Sequence, residues 1–239
     1  MWRPYGPLCS RKPGGWRLRP ELLLITQDGS PTLVHPRFQE AYSSRYGAWT
    51  QANVLYLGLT QTHAHPAPRV LEVGFGLGMN FRATLDSCLR RGVPLDYLGY
   101  EAFPVEAGVL GWVEAPLTEE AARVWAEVRV GWAAAPEPLI LEGPWGRLEV
   151  RFEDVTRASF PQGWASAIYL DPFSPAVNPE PWGLSVLRSL YHAAAPGAYL
   201  ATYSVAGRLR RGLAAVGFEV RKVPGVGKKA WTLARRPLA

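Results

Sequence analysis

Glu72-Val73-Gly74-Phe75-Gly76-Leu77-Gly78 follows the apolar run Arg69-Val70-Leu71 and precedes Asn80 to Arg91, in which Phe81, Leu85 and Leu89 recur at helical spacing. The pattern is a buried strand, a glycine loop and a helix. Glycines after a strand let the chain turn tightly and let a ligand approach the backbone. The helix that follows aims its positive N-terminal end at the same place. The spacing separates two ligand classes. A dinucleotide fingerprint needs Gly-x-Gly-x-x-Gly. Here the third glycine comes one residue early, at Gly78, and Met79 holds the dinucleotide position.

Outward from this loop, strands and helices alternate. Leu22 to Thr26 and Pro31 to His35 read as a β-hairpin turned by Asp28-Gly29. A helix is expected from about Thr50 to Leu59. Further strands are expected at Tyr97–Tyr100, Pro138–Leu141, Leu148–Phe152, Ala165–Leu170, Ala198–Thr202, Phe218–Val223 and Ala230–Leu233. Helices are expected near 104–114, 118–130, 180–194 (stopped by Pro196-Gly197) and 206–216. Repeated β-α units closed by two neighbouring strands indicate an α/β fold with a doubly wound sheet. The expected division is a basic segment, hairpin and leading helix over residues 1–60, then a Rossmann-like domain over 61–239.

Acids at the strand ends sharpen the ligand. Glu72 stands two residues before the first glycine, as is typical of enzymes that bind S-adenosylmethionine (SAM). Glu101 ends the second strand of the unit, where a carboxylate can accept hydrogen bonds from both ribose hydroxyls. Asp154 follows the next long strand, where such enzymes commonly hold the adenine amino group. A structural turn would explain the glycines alone. It does not explain acids at matching strand ends.

Asp171-Pro172-Phe173-Ser174-Pro175 follows the fourth core strand. Ligands of open α/β sheets sit outside the carboxyl ends of strands, so a methyl acceptor is expected here. Asp171 could hold an amine and orient its lone pair. Phe173 could stack on a base or border the sulfonium. An ordinary proline-rich turn capped by Asp171 is the plain alternative.

The chain has 239 residues, 48% of them hydrophobic, with 10 Trp, which is enough for a sizeable core. It has no apolar run of the ~18 residues that span a membrane and no signal-like start, so a cytoplasmic location is expected. Two cysteines form neither a disulfide framework nor a metal cluster, and no metal is expected. The net charge of +6 is uneven. Residues 1–20 hold five basic residues and no acid; residues 207–239 hold nine basic residues and one acid, Glu219. The middle is therefore acidic and the ends basic, which points to a polyanionic partner such as RNA.

Four ordered segments resemble the methyltransferase domains of the MnmC family of tRNA-modifying enzymes. They are Glu40-Ala41-Tyr42-Ser43-Ser44 through Val54-Leu55-Tyr56-Leu57, then Gly74 to Phe81, then Tyr169 to Pro179, and last Leu200 to Gly207 with Arg210-Arg211-Gly212-Leu213, Gly217-Phe218 and Gly225 to Lys229. The likeness covers about residues 30–235. It implies a class I SAM methyltransferase with an N-terminal β-hairpin extension. The implied reaction methylates the primary amine of 5-aminomethyluridine, often 2-thiolated, at the tRNA wobble position. Gly74, Phe75, Gly76, Gly78, Asn80 and Glu101 would surround SAM, with Glu72, Gln51 and Asp154 beside them. Asp171 would stand at the methyl-transfer centre, with Phe173, Pro175, Asn178 and Tyr203 on the acceptor side. Arg208, Arg210, Arg211, Lys228 and Lys229 would face RNA phosphates. Three departures stand out. Pro172 replaces a small residue, Gln51 replaces an acid, and no FAD-dependent domain follows, so removal of a carboxymethyl group is not expected of this chain.

Three other readings compete. An aminopropyltransferase related to spermidine synthase shares the hairpin, glycine loop and aspartate, but the basic C-terminus would repel a polyamine. A non-catalytic RNA-binding module would not need both Glu101 and Asp154. A nicotinamide oxidoreductase is disfavoured by the glycine spacing.

Overall fold

The computed structural model describes residues 20–132, 137–227 and 230–238. A short hairpin opens it: β1 (Leu23–Ile25) pairs antiparallel with β2 (Pro31–Leu33). The Asp28 carboxylate accepts from Ser30 N and from the Thr26 and Ser30 hydroxyls, while Gly29 takes a positive φ, so the turn forms as the Asp-Gly pair predicts. The leading helix starts as α1 (Ala48–Thr50) and continues over Gln51–Gly58 with π winding, in which Leu59 N donates to Val54 O five residues back.

The main sheet contains β3 (Arg69–Val73), β4 (Leu95–Tyr100), β5 (Leu139–Gly143), β6 (Gly146–Arg151), β7 (Ala165–Leu170), β8 (Ala194–Thr202), β9 (Glu219–Pro224) and β10 (Ala230–Arg235). Its spatial order is β5-β6-β4-β3-β7-β8-β10-β9. Strands β6, β4, β3, β7 and β8 run parallel, and β5, β10 and β9 add antiparallel edges. The sheet is thus doubly wound, and its order reverses between β3 and β7. The helices are α2 (Met79–Arg91), the short α3 (Ala107–Leu110), α4 (Glu119–Gly131), α5 (Leu184–Ala193) and α6 (Gly207–Ala215).

Both faces of the sheet are covered. Val70, Tyr97 and Tyr169 enter one core with Phe81 and Leu85 of α2 and Trp125 of α4. Leu71, Leu98, Ile168 and Leu170 enter the other with Leu187 of α5 and Leu213 of α6. The alternation follows the two-residue period of a strand. Leu33, Leu55 and Tyr56 lie in the same core as Phe81, so the hairpin and leading helix pack on the α2 side of the sheet.

Three elements differ from expectation. The 104–114 region forms only the four-residue α3, which ends at Gly111, and Gly108 within it lowers its helix propensity. The 180–194 helix splits: a turn at Glu180–Trp182 ends at Gly183, which then caps α5. Strand β8 begins at Ala194 rather than Ala198, so Pro196-Gly197 lies inside a strand. There Ala165 faces Ala194 but Ala167 faces Tyr199, a bulge that accommodates a proline without an N–H.

Arg82 is a buried cation behind the glycine loop. Its guanidinium donates to the carbonyls of Gly78, Leu77 and Val113 and stacks over Trp125 at 4.5 Å. Burial pushes it down to about 9. Arg82→Ala leaves the Leu77 and Val113 carbonyls without their donor, at about 1–3 kcal/mol each. Calorimetry should show a Tm lower by about 4–24 °C, at roughly 2–4 °C per kcal/mol for a chain of this size. A fall below about 2 °C would show that water replaces the guanidinium.

Candidate active site

The site forms where β3 and β7 separate. Asp171 N donates to Val73 O at 2.9 Å, which continues the parallel pairing one step past the strands. Gly74 and Phe75 both donate to Tyr100 O, at 2.9 and 3.0 Å, and so bend the loop over the end of β4. Gly74, Gly76 and Gly78 take φ of +87°, +54° and +70°. A Cβ on Gly74 would stand 2.6 Å from Asp171 O. On Gly76 it would meet the Tyr42 ring at 2.9 Å, and on Gly78 the Trp125 ring at 2.6 Å. Both conformation and space therefore demand glycine at Gly74.

A cavity of about 1280 Å³ opens beside this loop, above the roughly 300–1,000 Å³ of ordinary small-molecule sites. Of the residues singled out from sequence, Gln51, Gly74, Phe75, Gly76, Asn80, Glu101, Asp154, Asp171, Phe173, Asn178 and Tyr203 line it. Glu72, Gly78, Pro175, Arg208, Arg210 and Arg211 do not. Lys228, Lys229 and the basic residues before position 20 lie outside the described residues.

Glu101 accepts Gly76 N and Phe103 N, one on each oxygen, both at 2.7 Å. Each oxygen keeps a lone pair for another donor. Burial raises its carboxyl above the usual range, and the two backbone N–H groups oppose that. Asp154 spends Oδ1 on Thr156 N and Oγ1. Gln51 accepts Ser44 N at 2.6 Å and so ties the π-wound stretch to the 40–45 segment.

Asp171 is held on both oxygens. Tyr56 donates to Oδ1 at 2.5 Å, and Asn80 donates to Oδ2 at 2.9 Å. Asn80 also donates to Glu72 Oε1 at 2.8 Å, and Tyr97 donates to Glu72 Oε2 at 2.7 Å. Glu72 is fully buried behind the cavity, and burial raises its carboxyl well above the usual range. Burial also pushes Asp171 up to about 7, against the Tyr56 and Asn80 hydrogen bonds. Tyr203 donates to Pro172 O at 2.8 Å.

The 35–45 segment supplies a wall that position-by-position reading of the sequence did not assign. Glu40 accepts Ser174 N at 3.0 Å and Ser174 Oγ at 2.5 Å. Phe38 stacks on Phe173 with ring centroids 4.6 Å apart, and Tyr42 and Phe103 complete an aromatic cluster. Arg37 lies over Phe103 at 4.5 Å. Tyr56, Glu40 and Tyr42 fall inside segments that carried the family resemblance, but no local pattern gives any of them a partner 100 or more residues away.

Comparison with known proteins agrees with this geometry. Residues 120–236 match the family described as S-adenosyl-L-methionine-dependent methyltransferase. The chain is 38% identical over 219 residues to the tRNA 5-methylaminomethyl-2-thiouridine biosynthesis bifunctional protein MnmC of Paracidovorax citrulli, covering 84% of this chain and 33% of that protein. It is 35% identical to the MnmC of Caulobacter vibrioides, over 92% of this chain and 39% of that one. It thus spans little more than a third of the length of these relatives. Among solved structures, MnmC2 from Aquifex aeolicus superposes with a TM-score of 0.70 at 26% identity, over 89% of this chain and 69% of that one. A spermidine synthase bound to a transition-state analogue reaches 0.51 at 16% identity, over 88% and 71%, which shows the shared fold.

Gly74→Ala should abolish the thermal shift that SAM gives, because the new methyl displaces either the loop or Asp171 O. A normal shift would mean that the loop adapts.

Stability against pH tests Asp171. Its folded carboxyl titrates at about 7, against about 3.9 unfolded. The folded state therefore holds the extra proton between these values, and its stability falls as pH rises through that window. Asp171→Asn removes this slope. Urea unfolding should show the variant gaining on the wild type from about pH 4 to pH 7 and levelling above. A pH-independent difference would refute the raised carboxyl.

The glycine loop, the acids Glu101 and Asp154 and the Asp171 loop converge on one cavity, and the family match and the similar proteins agree: the chain belongs to the S-adenosyl-L-methionine-dependent methyltransferases.

Proposed function

We propose that this chain methylates the primary amine of 5-aminomethyluridine, often 2-thiolated, at the wobble position of tRNA. The observation that carries the reading is the Asp171 carboxyl, which faces the same cavity as the glycine loop. The products named for the relatives in Paracidovorax citrulli and Caulobacter vibrioides support it.

SAM would supply an electrophilic methyl group on a sulfonium. The glycine cradle fits a ligand laid against backbone. The free lone pairs of Glu101 fit the ribose hydroxyls, and Asp154 Oδ2 fits the adenine amino group. Gln51 holds the wall beside them. Glu72 acts from behind, through Asn80. Gly78 shapes the loop without facing the ligand.

An amine attacks only through a free lone pair, so it must enter neutral or shed a proton. A carboxyl near 7 can accept a hydrogen bond from that amine and orient it at neutral pH. The new N–C bond forms as the C–S bond breaks, and the amine then loses a proton. Phe173 and its aromatic neighbours offer faces for a pyrimidine. Asn178 and Tyr203 border the acceptor side, and Pro175 stiffens the loop.

Among the described residues, the cavity wall carries Glu40, Glu101, Glu153, Asp154, Asp171 and Glu180 against Arg37 and Arg45. An acidic cavity suits a cationic cofactor and an amine, while repelling phosphate. RNA phosphates would stay outside, on Arg208, Arg210 and Arg211 of α6, which begins four residues after Tyr203.

The decisive experiment incubates the protein with SAM and tRNA bearing 5-aminomethyl-2-thiouridine, followed by nucleoside mass spectrometry. The expected result is 5-methylaminomethyl-2-thiouridine. No gain of methyl on that nucleoside overturns the proposal. Transfer of an aminopropyl group to putrescine from decarboxylated SAM would establish the polyamine alternative.

A further inference from the structure

We infer that Tyr56 is a positioning residue for methyl transfer: its hydroxyl fixes the Asp171 carboxyl in the orientation that receives the acceptor amine. The inference deepens the proposed function and rests on it for its kinetic part.

Tyr56 is fully buried. Its ring packs near Tyr169 of β7, with centroids 5.3 Å apart, and its hydroxyl meets Asp171 Oδ1 at 2.5 Å. The hydroxyl group therefore has a defined partner on the cavity wall, 115 residues away in sequence. The winding of the backbone helps to place it. Residues Gln51–Gly58 follow a π helix, a form that recurs as an insertion at functional sites.

The two oxygens of Asp171 are constrained from two elements. Tyr56 holds Oδ1 from the leading helix, and Asn80 holds Oδ2 from the first turn of α2. A carboxylate offers about four lone-pair sites, so one remains on each oxygen for an acceptor. With both donors in place the carboxyl cannot rotate freely about its terminal bond, and a lone pair stays aimed. Asn80 is itself fixed by Glu72, which Tyr97 holds on its other oxygen. Tyr56 has no such second role. Removing its hydroxyl frees Oδ1 alone.

The groups that face Asp171 are Tyr56 from the leading helix, Asn80 from α2, Glu72 from β3 through Asn80, Tyr97 of β4 and Tyr203 after β8. Of these, Tyr56 and Asn80 donate hydrogen bonds to the carboxyl. Loss of either donor weakens the charged form and moves the carboxyl to higher pH.

Tyr56→Phe keeps the ring and removes the donor. SAM affinity by calorimetry should change far less than kcat, since Tyr56 does not line the cavity and acts on its contents only through the Asp171 carboxyl. The kcat for tRNA methylation at neutral pH should fall about 10- to 100-fold, with KM little changed. The acidic limb of the pH–rate profile should move to higher pH. Carbon-13 NMR of the Asp171 carboxyl in the SAM-free protein should show the same upward movement from about 7. A purely structural role would lower Tm and leave both titrations where they were.

Unchanged kcat with an unmoved carboxyl overturns the inference. If the wild type transfers no methyl to tRNA, the proposed function falls, and the carboxyl titration still decides whether Tyr56 controls Asp171. Should Tyr56→Phe not fold, Asp171→Asn reports the pair from the other side. A downfield Tyr56 hydroxyl proton present in the wild type should then shift upfield, and its persistence unchanged overturns the inference.

Discussion

The backbone contact between Gly74 and Asp171 decides the layout of the site. These residues end adjacent parallel strands, β3 and β7, from which the chain departs to opposite faces of the sheet. No side chain fits between them, since a Cβ on Gly74 would reach within 2.6 Å of Asp171 O. The two loops are therefore in register at the crevice before any ligand arrives. One brings backbone N–H groups and the α2 N-terminus. The other brings a carboxyl. A cofactor laid on the first is necessarily beside the second, which is the proximity that transfer chemistry requires.

The parts of this layout that were legible in sequence are those set by local rules. Glycine spacing, strand-end acids and the Asp-Pro-Phe loop depend on few neighbours, and all three reach one cavity. The doubly wound order was legible because β-α alternation allows few alternatives. Glu72 shows what such reading leaves out. Its position before the first glycine suggested a ligand-facing acid, and the strand alternation sets it on the α2 face of the sheet, where Asn80 and Tyr97 each donate to one of its oxygens. Tyr56 and Glu40 were illegible for the opposite reason. Each meets its partner across more than a hundred residues, at Asp171 and Ser174, and nothing in the adjacent sequence marks them.

The 35–45 wall follows from the same long-range packing. Its aromatic residues stack against Phe173, while Glu40 accepts both donors of Ser174. The acceptor loop is thus held by Gly74, by Glu40, by Tyr203, which donates to Pro172 O, and by Trp182, whose indole donates to Phe173 O at 2.9 Å. Two prolines alone would stiffen the loop but could not orient it. The hairpin anchors this wall to the sheet through Leu33, so an extension outside the Rossmann-like unit fixes geometry inside the catalytic cavity.

Charge completes the argument. Glu72, Asp171 and Glu101 are all raised by burial, and the first two are linked through one asparagine. Glu72 also feels the charges of the other two, which add to the burial that raises its carboxyl. Hydrogen-bond donors relieve part of the cost of ionising, and Asp171 already spends two of them. A cation relieves the rest. SAM carries positive charge on its sulfonium and its ammonium, so its binding favours the ionised form of the carboxyls around it. Asp171, pushed up to about 7, is thus poised between protonated and ionised near neutral pH, and SAM bound beside it would tip it toward the ionised form that accepts hydrogen bonds.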